Sequence, residues 1–138
     1  LGGGFTSVGN TDAIKGESGA TGYAKYSSGG LTIGYQEFYH NAAITEKGTT
    51  TRGIDTDGSG YALAYTAGDV SLSYSVQNEQ TNAIGATAAL EEEEVSAFQA
   101  AYTMGGMTLA ASLYETDNVE GVAGVKYEET ELSVSFAF

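Results

Sequence analysis

The sequence predicts an all-β, antiparallel chain built from amphipathic hairpins. Three observations carry this expectation. First, the segment from Glu128 to Phe138 alternates strictly. Leu132, Val134, Phe136 and Phe138 fall on one side of an extended chain, and Glu131, Ser133, Ser135 and Ala137 on the other. Apolar residues at a period of two mark a strand with one face against an apolar surrounding. Second, a hairpin unit repeats without gaps. Tyr26-Ser27-Ser28-Gly29-Gly30-Leu31-Thr32-Ile33 aligns on Tyr65-Thr66-Ala67-Gly68-Asp69-Val70-Ser71-Leu72 and on Tyr102-Thr103-Met104-Gly105-Gly106-Met107-Thr108-Leu109. Third, connections alternate between these tight glycine turns and long polar links at about 41–58, 79–94 and 117–127.

Reading outward from the turns places seven strands at about 18–27, 31–40, 59–66, 70–78, 95–103, 107–116 and 128–138. The first two flank Gly29-Gly30, where glycine supplies the positive φ of a tight hairpin. In the third, Tyr61, Leu63 and Tyr65 oppose Ala62, Ala64 and Thr66. In the fourth, Val70, Leu72, Tyr74 and Val76 oppose Ser71, Ser73, Ser75 and Gln77. Phe98, Ala100 and Tyr102 oppose Ala97, Gln99, Ala101 and Thr103 in the fifth. Met107, Leu109, Ala111 and Leu113 oppose Thr108, Ala110, Ser112 and Tyr114 in the sixth. The terminal segment is the seventh. Leu1–Gly9 is a candidate eighth strand, weakened by Gly2, Gly3 and Gly4.

Composition bounds the function. The 138 residues have the length of one domain. Five basic against 18 acidic residues give a formal net charge of −13, which argues against a nucleic-acid partner. No cysteine is present, so disulfide staples and thiolate metal sites are excluded. Regular alternation and 15 aromatic residues argue against disorder. No apolar run approaches the roughly 18–20 residues of a membrane-crossing helix, but a membrane strand needs only about 9–11 residues with every second one apolar. The chain begins without Met or a leader peptide, as a processed product or a fragment would.

A strand of about 10 residues rises roughly 33 Å and, tilted by about 45°, spans some 23 Å, close to the apolar band of an outer membrane. With the apolar sets outward, Tyr26, Tyr65, Tyr102 and Phe138 lie at one level beside the short turns, as an interfacial aromatic girdle would. A soluble β-sandwich has no need of such a ring. The repeat, the loop asymmetry and the ending Tyr114-Glu115-Thr116-Asp117-Asn118 … Tyr127 to Phe138 resemble the C-terminal half of a Gram-negative general-diffusion porin, most nearly those of alphaproteobacteria. That resemblance implies a 16-stranded transmembrane β-barrel in a homotrimer, set in outer-membrane lipid and lipopolysaccharide. It also implies passive diffusion of small hydrophilic solutes and ions, and an assembly signal ending in Phe136 and Phe138. The family's constriction loop and much of its basic eyelet come from the N-terminal half, so no eyelet residue is carried over.

The chain is thus expected to be a single barrel segment, 1–138, with about seven strands and the remainder of the same barrel supplied elsewhere. The alternative is a complete eight-stranded barrel starting at Leu1–Gly9, with an adhesive or structural role. Eight strands close on an interior filled by side chains, whereas the inner residues here are small. That favours the larger, water-filled barrel.

The pore-lining candidates are Lys25, Thr32, Gln36, Ser71, Ser73, Ser75, Gln77, Gln99, Thr108, Ser112, Ser133 and Ser135; the girdle candidates are Tyr26, Tyr65, Tyr102, Phe136 and Phe138. Lys25 is either a wall cation acting on permeating anions or a lysine paired with a nearby carboxylate. Glu91, Glu92, Glu93 and Glu94 form a rim that could hold Ca²⁺ or Mg²⁺ weakly, or one that is simply solvated. Asp55-Thr56-Asp57-Gly58-Ser59-Gly60 resembles the opening of a calcium loop but has Thr66 where the closing Glu would stand, so a flexible glycine-rich turn is expected there. His40, the single histidine, is expected on an exposed strand–loop junction and not in a metal site. Glu128, Glu129 and Glu131 fall where a strand meets solvent, and no nucleophile elbow, phosphate loop or dinucleotide fingerprint is present. The chain is therefore not expected to be an enzyme.

Overall fold

In the computed structural model, which describes residues 1–8, 17–45, 51–83 and 90–137, eight antiparallel strands form a single sheet in chain order. They are β1 (Gly2–Val8), β2 (Glu17–Ser28), β3 (Leu31–Thr45), β4 (Thr51–Ala67), β5 (Val70–Ala83), β6 (Glu93–Met104), β7 (Met107–Asp117) and β8 (Lys126–Phe136). A one-turn 3₁₀ segment, Val119–Gly121, sits between the last two. Every strand pairs with its sequence neighbours, so the sheet is a meander. Among the described residues, β1 and β8 each have a strand on one side only.

The three tight turns form where the repeat places them. Gly29 and Gly30 both have positive φ, as a type I′ hairpin requires, whereas Gly68 and Gly105 have positive φ at the first turn position alone, the type II′ pattern. Gly30 is doubly constrained. Its φ is +84°, and a Cβ there would collide with the Thr66 carbonyl oxygen. The repeat extends to hydrogen bonds. The tip carbonyls of Gly30, Asp69 and Gly106 accept from the amides of Thr66, Thr103 and Ala137, at 3.0, 2.8 and 2.7 Å. Each hairpin is thereby pinned to the end of the strand that follows it.

Strand lengths depart from expectation at the loop end. β3, β4 and β5 run to 15, 17 and 14 residues, so much of the expected links 41–58 and 79–94 is ladder. The expected turn at Asp55–Gly60 is instead the middle of β4. In β4 and β5 polar residues on both faces hide these extensions from a hydrophobic pattern, and cross-strand side chains stabilise them. Asn41 donates to Asp55, and Thr56 meets Thr81 at 3.5 Å. β1 also forms despite its glycines. Its register sets Phe5 opposite Ala20 and Gly2 opposite Tyr23, whose ring covers the space a side chain at Gly2 would need.

The sheet has almost no sealed core. Val76, 4% exposed, is the one buried hydrophobic side chain among the described residues. Along β7 the apolar Leu109, Ala111 and Leu113 are exposed, while the smaller Thr108, Ala110, Ser112 and the polar Tyr114 are half-buried. Small side chains that are more covered than large ones across the same strand indicate a sheet curled towards its polar face.

Gly58 is a point of close approach on that face. A Cβ there would meet both the Phe38 ring and the Asn78 carbonyl. Gly58→Ala should therefore destabilise the sheet by about 1–3 kcal/mol through overpacking. Pairing it with Phe38→Ala should not restore stability, because the carbonyl cannot move as a ring can. Thermal unfolding followed by circular dichroism checks this, and a parent-like transition for Gly58→Ala would contradict the packing described.

Candidate functional site

The period of two and an unbroken register sort side chains into two faces that continue across the sheet. On the polar face, one row runs Lys25, Gly34, Ala62, Ser75, Ala97, Tyr114, Glu129. Below it, nearer the tight turns, lies Ser27, Thr32, Ala64, Ser73, Gln99, Ser112, Glu131. Ser71 and Ser133 share the next row through Ala101 and Ala110, and Thr108 joins Ser135. Gln36 and Gln77 meet across Gly60. The structure thus gathers every residue named from the sequence as lining onto one face.

These side chains satisfy one another laterally. Ser27 and Thr32 lie 2.9 Å apart, Thr66 and Ser71 3.1 Å, and Thr103 and Thr108 3.1 Å. Gln36 donates to Thr21 at 3.0 Å. Gln99 accepts from Ser73 at 3.3 Å and donates to the Tyr114 hydroxyl at 2.9 Å. A face hydroxylated in this way, with floor positions at Gly34, Gly60, Ala62 and Ala64, is low and wettable. Beside Lys25 it opens into a hollow of about 390 Å³ bounded by Tyr23, Thr32, Gln36, Gly60 and Ala62. Lys25 makes no ion pair among the described residues.

The opposite face carries an exposed apolar band: Ile33, Leu63, Tyr74, Phe98 and Leu113 in one row, Leu72, Ala100, Ala111 and Leu132 in the next. Tyr26, Tyr65 and Tyr102 sit on this face, each two residues before its strand's last pair at the turn; they are 64%, 48% and 44% exposed. Phe136 pairs with Met107, and Phe138 lies outside the described residues. Higher up, Tyr35 pairs with Tyr61 and donates to Glu37 at 2.6 Å. Above that level the same face turns acidic, with Asp57, Glu94, Glu115, Asp117 and Glu128. Lys126, also above the band, lies 2.6 Å from Asp117 and 3.4 Å from Glu115, and hydrogen bonds to those carboxylates raise its pKa above the usual lysine value.

The acidic run does not converge. Glu93 and Glu94 enter β6 and point to opposite faces. The Glu92 carboxylate accepts from Asn78 at 3.0 Å, and that of Glu93 from the Glu120 amide at 2.7 Å. Among the described residues no group of three or more carboxylates, His or Cys is placed to hold a metal. His40 lies within β3, a correction to its expected junction, and contacts Glu17 at 2.8 Å. Sequence reasoning missed Tyr23, which parity with Lys25 would have placed on the polar face. It also missed the clasp between the segment before β6 and the β7–β8 connection. There Asn118 donates to the Glu92 carbonyl at 2.9 Å and accepts from the Gly124 amide at 2.9 Å, and Glu91 donates to the Gly121 carbonyl at 2.9 Å.

Asn118 has φ +54°, a conformation asparagine tolerates better than most side chains. Asn118→Gly should keep the backbone while losing both side-chain bonds, and Asn118→Ala should lose both advantages. Hydrogen exchange across Val119–Val125 should accelerate in both variants and more in the alanine one, by about 1–2 kcal/mol of local opening. Equal protection in all three proteins would remove the clasp's role. Comparison with protein-family models, curated proteins and solved structures finds no match for the chain.

Proposed function

We propose that this chain forms part of the wall of an outer-membrane porin, a water-filled β-barrel that passes small hydrophilic solutes and ions by diffusion. One observation carries the reading: a hydrogen-bonded face of small polar residues lies back to back with an exposed apolar band. Water covers the first without penalty, and hydrocarbon covers the second. Backbone groups in lipid must be paired internally, which restricts spanning sheets to closed barrels. Among the described residues β1 and β8 each have a neighbouring strand on one side only, so further strands, from the rest of the same protein, complete the barrel. The aromatic levels at Tyr26, Tyr65 and Tyr102 and at Tyr35 and Tyr61 bound the band as interfacial girdles do. Lipid and lipopolysaccharide are the apolar face's partners, in a homotrimer.

A filled eight-stranded barrel fits less well. It would need β1 to pair with β8, and its interior would need bulky side chains where this face has Gly, Ala and Ser.

Two measurements test the reading. In lipid vesicles, Leu63→Arg and Leu113→Arg, in the row between the two aromatic levels, should each weaken folding by about 2–4 kcal/mol near the bilayer midplane, whereas Ser73→Arg, on the opposite face, should leave insertion intact. Equal effects on both faces would reverse the face assignment. The purified full-length protein should also produce stable, stepwise ion conductance in planar bilayers and swelling of sugar-loaded liposomes. Membrane-inserted protein without either would rule the porin reading out.

A further inference from the structure

Charges of opposite sign stand at different heights along the lower part of the polar face, and that has a consequence for ion flow. Arg52, opposite Ile44 and fifteen residues above Ala67, lies beyond all the described carboxylates at the loop end. Height is counted from the last pair at each tight turn. Lys25 lies three residues up its strand from Ser28, about 10 Å at the rise of a β-strand. Measured from each strand's own turn end, which steps two residues further along at each successive hairpin, every described carboxylate on this face lies higher, although Glu129 shares Lys25's hydrogen-bonded row. Glu131 is five residues above the Met107–Phe136 pair and Glu129 seven, roughly 17 and 23 Å. Glu79 is nine residues above Val70, and Glu93 and Glu17 are eleven above Met104 and Ser28, roughly 30 to 36 Å. Glu17 is partnered by His40, whereas Glu79, Glu129 and Glu131 have no cation beside them among the described residues. Asp69 belongs to a turn tip, outside the wall. Lys25 is thus the one described charge on the turn-proximal part of the face, and it is opposite in sign to all carboxylates above it.

We propose that this axial separation makes the pore rectify, with Lys25 as the residue that sets the asymmetry. The inference rests on the polar face being a pore wall. Carboxylates near the loop mouth enrich cations there, and the Lys25 ammonium enriches anions near the turn mouth. A potential that is positive on the loop side drives each ion in through the mouth that concentrates it. Carriers then accumulate inside and the current is high. The reverse potential draws each ion through the mouth that repels it, so carriers are depleted and the current falls. Lys25 acts alone at its level because its floor is Gly34 and Ala62 and its neighbours Tyr23, Thr32 and Gln36 are neutral.

The test is current against voltage for single channels of the full-length protein in a neutral planar bilayer at about 0.1 M and 1 M salt. The Debye length falls between them from about 10 Å to about 3 Å. A cysteine at the exposed Val122 of the β7–β8 connection (Val122→Cys), probed from one side with a charged thiol reagent, identifies the loop side. The expected result is a larger current with the loop side positive, a current ratio above unity at low salt that approaches unity at high salt. Lys25→Arg should keep that ratio, and Lys25→Glu should bring it close to unity while conductance persists. Conducting channels with symmetric currents, or the parent ratio retained in Lys25→Glu, overturn the rectification proposal and leave the porin reading standing. Absence of channels in the parent overturns both.

Discussion

Everything in this structure depends on the unbroken antiparallel register. With a side-chain period of two, a slip of one residue in any pair would carry a whole strand's apolar set to the opposite face. The chain prevents this at three equivalent places. Each tight turn sets the offset between its two strands, and each turn's tip carbonyl is bonded to the strand that follows, at Thr66, Thr103 and Ala137. Because these anchors repeat, seven successive pairings keep the same two faces. The separation of a wettable surface from an apolar one is a product of register, more than of any single residue's chemistry.

That separation explains why a chain with so little sealed interior can be ordered. Val76 is its one buried hydrophobic side chain among the described residues. An ordinary soluble domain derives its stability from apolar burial, and this sheet offers its apolar side chains to its surroundings instead. The backbone ladders are satisfied within the sheet, the polar face is satisfied by neighbouring hydroxyls and amides, and the band of Leu, Ile, Phe and Tyr remains to be covered by what lies outside. On the proposed reading, lipid completes the energetics that a core would otherwise supply.

The two ends of the sheet differ in character. At the turn end, connections are two residues long, Tyr26, Tyr65 and Tyr102 share one level, and Lys25 is the sole described charge on the polar face. At the loop end, β3 and β4 rise past the apolar band, carboxylates appear on both faces, and the clasp through Asn118 orders one connection against its neighbour. Glycine also works differently at the two ends. Gly30 makes a turn possible, and Gly58 makes room for Phe38.

Much of this was legible in the sequence, for a physical reason. Strand identity, the turns and the two faces follow from local rules: alternation at a period of two and glycine where φ must be positive. Ser71, Ser73, Ser75, Gln99 and Ser112 were assignable because their opposite neighbours are strongly apolar. The rules failed where that contrast disappears. Asp55–Gly60 reads as a loop because it is polar on both sides, yet it is strand, held by pairing with partners remote in sequence. β1 reads poorly because glycine carries no pattern, and only pairing with Tyr23 and Ala20 reveals it. Composition shows an acidic rim at Glu91–Glu94, but tertiary structure alone decides that those carboxylates diverge to Asn78 and Glu120 rather than converge on one ion. The heights of Lys25, Glu129 and Glu131 relative to one another likewise depend on cross-strand register. Sequence determines what each strand is; register, a relation between strands, decides what stands beside what.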